Sequence, residues 1–140
     1  MRIAIISAPP QRAPSQRRSP PEYALALAKG MRSMGHTVDI VDAWTDDGMR
    51  LPGCDYIAIA TEPLSFFSAK IPEVIPKILA ARSGVGGKKS AAFVRKAGLR
   101  SGKALANLMK AMEKEGMMVN WSEVLLSAFH AEAMGKRIGS

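Results

Sequence analysis

Ser7, Arg12, Ser15, Arg17 and Arg18 crowd into one short stretch of chain, with Pro9, Pro10 and Pro14 among them. Hydroxyl and guanidinium groups bind anions, and the Arg fork matches a phosphate or carboxylate. The apolar run Arg2-Ile3-Ala4-Ile5-Ile6-Ser7 precedes this stretch, and Ser19-Pro20-Pro21-Glu22 closes it. The run reads as a strand covered on both faces. The tetrapeptide reads as a helix start, with Ser19 as N-cap, Pro20 at the first helical position and Glu22 completing a capping box. A loop between a buried strand and a helix N-terminus collects free N–H groups and the positive end of the helix dipole. Anion binding is therefore the chemistry expected of residues 8–19.

A second candidate set follows the most apolar stretch, Asp55-Tyr56-Ile57-Ala58-Ile59-Ala60: Thr61, Glu62, Pro63, Leu64, Ser65, Phe66 and Phe67. Two adjacent phenylalanines on a loop offer either a wall for a flat apolar ligand or packing beneath the loop. Glu62 is placed for proton exchange with a ligand, or is a solvated loop acid. A third set, Ala97, Gly98 and Leu99, offers main-chain amides from a turn centred on glycine.

These sets need a scaffold that brings them together. The chain has 140 residues, 47% apolar and 23% charged, which fits one domain with one core, spanning residues 1–140. No apolar run approaches the ~20 residues of a membrane span. The N-terminal run lacks the long apolar region of a secretory leader, and the single Cys54 makes no internal disulfide, so a cytoplasmic protein is expected. Cys54, His36 and His130 are too scattered to suggest a metal site. The net charge of +8 favours anionic partners, or is simply a solvated basic surface.

Apolar spacing at Ala24, Leu27, Met31 and Met34 predicts a first helix over residues 20–34, ended by Gly35. The alternation of Thr37-Val38-Asp39-Ile40-Val41-Asp42 predicts a strand near a sheet edge, and residues 43–55 carry turn signals. Residues 55–60 form a central strand. A second helix covers residues 71–82, with Val74, Ile75, Ile78 and Leu79 inward and a kink or late start at Pro76. Residues 90–94 form a fourth strand. Ser101 caps a third helix carrying Leu105, Leu108, Met109 and Met112, stopped by Gly116. A fifth strand lies within residues 117–126, anchored by Trp121, and a short helix spans 128–136. Strand–helix alternation implies a parallel sheet with helices on both faces. Five strands in so short a chain match a three-layer α/β/α sandwich of order 2-1-3-4-5, whose ligand crevice lies at the carboxyl ends of strands 1 and 3. That brings together the loops 8–19, 61–70 and 95–100.

The stretch from Asp55 through Thr61, Pro63, Phe66 and Lys70-Ile71-Pro72, with Lys88-Lys89-Ser90-Ala91-Ala92-Phe93-Val94 and its glycine loop, resembles the flavodoxin family and the NAD(P)H-dependent FMN reductases. The resemblance covers nearly the whole chain. It implies a flavodoxin-like fold, FMN as cofactor and a redox role, either electron transfer or an FMN-dependent NAD(P)H oxidoreductase. It implies NAD(P)H or an acidic redox protein as further partner. By the same resemblance, Ser7, Arg12 and Ser15 with the 19–22 helix start hold the FMN phosphate. Thr61, Glu62, Pro63, Leu64, Ser65, Phe66 and Phe67, with Ala97, Gly98 and Leu99, frame the isoalloxazine ring. The first loop departs from the family's Ser/Thr/Gly-rich form, since residues 8–19 hold no glycine or threonine and three prolines without N–H groups. A second reading stays open: the fold without its flavin, acting as a non-enzymatic binding or regulatory module for an anionic partner.

Other phosphate chemistries lack their residues. No acid cluster follows strand 1 for a receiver's magnesium site. No Gly-x-Gly-x-x-Gly, Walker loop or Gly-x-Ser-x-Gly is present. No nucleic-acid motif accompanies the arginines, so nucleic acid is not the expected partner.

Overall fold

The computed structural model describes residues 1–10, 19–81 and 84–138. Five strands, β1 (Arg2–Ala8), β2 (Thr37–Asp42), β3 (Tyr56–Thr61), β4 (Lys89–Arg95) and β5 (Met118–Leu125), form one parallel sheet in the order β2-β1-β3-β4-β5. Helices α1 (Glu22–Ser33) and α4 (Ala128–Arg137) cover one face. Helices α2 (Val74–Ala81) and α3 (Ser101–Lys114) cover the other. The expected α/β/α sandwich and strand order are both found.

Burial explains the sheet. Every residue of β3 is buried, and so is β1 from Ile3 onward, because helices press on both faces. Ile3 and Ile5 join the core beneath α1 and α4, while Ala4, Ile6 and Ala8 join the core beneath α2 and α3. This is the two-residue period of a strand serving two cores. β2 lies at the sheet edge as expected, but its burial does not alternate: Val38 is buried on the α1/α4 face and Val41 on the α2/α3 face, with Asp39 and Ile40 half-buried between them. β5 carries a register shift opposite Ser90 and Ala91, which are paired with Val119 and Trp121. The extra residue, Asn120, accepts a 2.5 Å hydrogen bond from the Tyr56 hydroxyl, whose pKa is raised by burial. Trp121 packs against the α1/α4 core, as expected of an anchor.

The helix termini require three corrections. α1 begins at Glu22 after Pro21, with no side-chain cap, so Ser19 is not the N-cap, Pro20 is not helical and the capping box does not form. Pro21 excludes Pro20 from helical backbone angles, which delays the helix past both prolines. Met34 lies at the C-cap and is half exposed instead of continuing the apolar face, and Gly35 takes φ +90° to turn the chain into β2. Ser101 is the first residue of α3 and not its cap. Its hydroxyl accepts from the Ala97 N–H at 3.0 Å and donates to the Ala97 carbonyl at 3.2 Å, closing the preceding turn.

The late start of α2 is found. Beginning at Val74 puts Pro76 in the first turn, where no intrahelical N–H bond is lost. Within residues 43–55, Leu51–Gly53 forms a short 3-10 helix that buries Leu51. No helix among the described residues is long and apolar enough to cross a membrane.

Candidate functional site

Parallel strands place all their carboxyl ends on one rim. Ala8 of β1 lies beside Thr61 of β3, and Thr61 beside Val94 of β4. The chain order reverses between β1 and β3, which is where open α/β sheets leave a crevice. Thr61 is fully buried and its hydroxyl donates a 2.5 Å hydrogen bond to the Ala8 carbonyl, so it ties the two strands together at the rim. Glu62 is 6% exposed, and its carboxylate lies 3.7 Å from the Arg95 guanidinium at the end of β4. Pro63 is buried behind it.

Beyond Pro63 the chain makes a closed loop. Leu64 N–H donates to the Lys70 carbonyl at 3.2 Å, and the Ser68 N–H to the Ser65 carbonyl at 3.2 Å. The loop thrusts Phe66 and Phe67 outward, 57% and 72% exposed, with their rings edge to face at 5.0 Å. The neighbouring turn is seated against it. Leu99 N–H donates to the Phe66 carbonyl at 3.0 Å, and Gly98, at φ +74°, lies so close that a Cβ there would run into that carbonyl. From α3, the Asn107 amide donates to the Ala69 carbonyl at 2.9 Å. Glycine is required at position 98 by both its backbone angle and its neighbour.

The β1–β2 end of the rim is built differently. Ser7, 3% exposed, lines a cavity of about 170 Å³ with Pro9, Ser19, Pro20, Pro21, Ile40, Asp42 and Trp44. Trp44 is fixed twice: its N–H donates to Asp42 Oδ1 at 2.9 Å, and its indole Nε1–H to the Pro9 carbonyl at 2.7 Å. The other side of Trp44 borders a wider recess of about 570 Å³, shared with Pro10, Leu64, Pro72, Glu73, Val74 and Lys77. Pro10 and Leu64 thus bring the first and second loops to one recess.

The fold has solved counterparts. A flavodoxin from the domain Archaea is 18% identical, aligned over 99% of this chain and 96% of its own, with a TM-score of 0.68. Oxidised flavodoxin 1 from Bacillus cereus is 16% identical over 96% and 95%, with a TM-score of 0.66. Two-electron reduced flavodoxin from Megasphaera elsdenii is 15% identical over 97% and 96%, with a TM-score of 0.70. The chain has the flavodoxin-like fold. No protein-family model and no curated protein matches it.

In this flavodoxin-like chain the candidate residues divide into groups. Leu64, Ser65, Phe66, Phe67 and Leu99 are exposed at the rim, with Ala97 and Gly98 partly so. Thr61, Glu62 and Pro63 lie beneath as support. Ser7 lines the small cavity some distance along the rim, and neither recess is lined by Phe66 or Phe67. Arg12 and Ser15 lie outside the described residues, as do Arg17 and Arg18. Sequence reading missed Asp42 and Trp44. The available signal was the strand end itself: Asp42 closes β2 and Trp44 follows two residues later, so a parallel sheet delivers both to this rim, although nothing local places them beside Ser7. His36, Cys54 and His130 each have local partners: the N-terminal amine, the Arg50 carbonyl and the Leu126 N–H.

Proposed function

We propose that this protein binds FMN at the carboxyl rim of the sheet and serves a redox role, as an electron carrier or as a reductase supplied by NAD(P)H. The observation carrying this reading is the contact of the 62–70 and 96–100 loops. That contact leaves two phenylalanines and a leucine exposed beside the Gly98 amide at the β3–β4 end of the carboxyl rim, next to the switch point between β1 and β3. A flavin ring needs an apolar wall and a few polar edge contacts, and this material is present. The ring's polar edge would face the Gly98 amide, since those of Ala97 and Leu99 already donate to Ser101 and to the Phe66 carbonyl, and its apolar body Phe66 or Phe67. Ser7, Ser19 and Trp44 would receive the ribityl and phosphate end, with Arg12 and Ser15 as further phosphate ligands. Bound FMN would supply one- or two-electron chemistry; the chain's part is to hold it, shield it and set its electrostatic surroundings.

A second reading has its own support. At the phosphate end, Pro20 and Pro21 supply no N–H donors, and Asp42 brings a carboxylate to the cavity. This favours a fold that has lost its flavin and meets an anionic partner elsewhere on its basic surface. Titrating FMN with the purified chain separates the two. Quenched flavin fluorescence and a shifted visible spectrum at stoichiometric protein support the flavoprotein. An FMN spectrum unchanged at high protein excess leaves the binding module.

A further inference from the structure

The sheet has two free edges, β2 and β5, and they are finished differently. β2 carries Asp39 and Asp42 among its six residues. The Thr37 and Ala43 N–H groups donate toward β1, to the Met1 and Ser7 carbonyls, so the alternation of a strand turns the Val38 carbonyl outward. There it accepts a 2.7 Å hydrogen bond from the Arg32 guanidinium of α1. Charges and a capped carbonyl protect this edge from pairing with another chain.

β5 has eight residues and one charge, Glu123, with no lysine or proline. The Leu125 carbonyl receives the Lys96 N–H on the β4 side, so the same alternation turns the N–H and carbonyl of Ser122 and Val124 away from the sheet. Among the described residues no side chain caps them as Arg32 caps Val38. The bulge lies at the start of the strand, and the ladder to β4 is regular from Trp121 to Leu125. Along this edge runs a shallow recess of about 370 Å³, lined by Met109 of α3 with Val119, Asn120, Trp121, Ser122 and Glu123. Met118 begins the strand and Leu126 follows its end; they are 57% and 66% exposed.

We propose that β5 pairs antiparallel with β5 of a second copy about a two-fold axis at Ser122, joining the two five-stranded sheets into one. A two-fold interface must be self-complementary, and this edge is. Pairing about Ser122 sets Trp121 opposite Glu123 of the second copy, and the Met118 end of each strand against the Leu126 end of the other. Ser122 faces outward in both copies and makes the hydrogen-bonded pair, so Trp121 and Glu123 form the closer, non-hydrogen-bonded kind. Trp121 lies on the α1/α4 face, where the Arg137 guanidinium stands 6.0 Å from its ring centroid. The second copy's Glu123 therefore comes to Arg137, and symmetry makes that contact twice. Val124 alternates with Leu125 and so shares the α2/α3 face with Val119. In the pairing it reaches the recess beside Met109 and Val119 of the other copy. An unrelated strand would pair with the same edge but has no built-in acid for Arg137. None of this requires FMN.

Sedimentation equilibrium of the full chain reads the state of assembly. A concentration-dependent dimer is expected, with the Ser122 and Val124 amides exchanging more slowly with solvent as the dimer fills. Ser122→Pro removes an outward N–H and leaves the ladder to β4 in place, so it gives a monomer whose circular dichroism matches the parent. Glu123→Arg and Arg137→Glu each weaken the dimer by about tenfold or more, because like charges then meet. Mixed in equal amounts, these two variants form a heterodimer in which both contacts again join opposite charges, an outcome that damage within one chain cannot produce. The proposal is overturned if Ser122→Pro dimerises as the parent does, or if the mixed variants stay apart. A chain that remains monomeric at millimolar concentration also overturns it and leaves the edge to a different partner.

Discussion

At the β1–β2 end of the rim, Ser7, Asp42 and Trp44 enclose a small cavity held by short hydrogen bonds. At the β3–β4 end, Phe66, Phe67 and Leu99 stand in solvent on loops held together by main-chain contacts. The first end is the more enclosed, is lined largely by prolines, Ile40 and Trp44, and carries two serines and a carboxylate. The second is open, apolar and bordered by cations. A ligand spanning both would present its flat apolar part to the second end and its hydroxylated, anionic part to the first. The difference also separates two sources of precision. Side chains fix the first end, whereas the second depends on the backbone geometry of Gly98 as well as on the Asn107 and Ser101 side chains.

The largest effect is expected at that glycine. Gly98→Val should destabilise the fold by about 1–3 kcal/mol from the positive φ alone, before its collision with the Phe66 carbonyl is counted. Urea unfolding measures this, and FMN affinity of the folded fraction should fall with it. Stability within about 0.5 kcal/mol of the parent would show that the open end is not held this way. Asp42→Asn acts at the closed end and in the opposite direction. It keeps an oxygen for the Trp44 N–H but removes a negative charge beside the proposed phosphate seat. FMN should then bind about tenfold tighter, or about 1.4 kcal/mol. Equal or weaker binding would place the phosphate elsewhere.

Smaller effects test the ties between the ends. Thr61→Val keeps the shape and loses the hydroxyl bond to Ala8, leaving a buried carbonyl short of a donor. A loss of about 1–2 kcal/mol is expected in thermal or urea unfolding. Trp44→Phe keeps a ring but deletes the indole bond to Pro9, which should cost about 0.5–1.5 kcal/mol. If FMN binds, Trp44 fluorescence in the parent should be quenched by it, whereas Trp121, packed in the α1/α4 core, should be little affected.

Several features of this fold could be read from residue order alone. The unbroken apolar run of β3 placed it centrally, the polar residues interspersed in β2 placed it at an edge, and Pro76 foretold the late start of α2. Helix starts were harder, because two local rules competed at residues 19–22. The Ser-x-x-Glu pattern favours a capping box, but consecutive prolines forbid the backbone angles it needs. Serines misled by one residue of helical phase: Ser101 sits inside α3, while Ser127, at the N-cap of α4, accepts the His130 N–H at 3.0 Å. The site was legible where a loop follows a strand directly, as at Thr61–Pro63. Asp42 and Trp44 belong to it through the pairing of Asp42 with Ser7 across β2 and β1, a long-range register that no local pattern encodes.

The most direct test of the two-ended rim is an amide and indole NMR titration of the labelled chain with FMN. The account predicts concerted, saturable shifts at both ends: Gly98, Leu99 and Phe67 amides at the open end, Ser7 and the Trp44 indole at the closed end. Shifts confined to one end, or centred on the opposite rim near Tyr56 and Asn120, would contradict it.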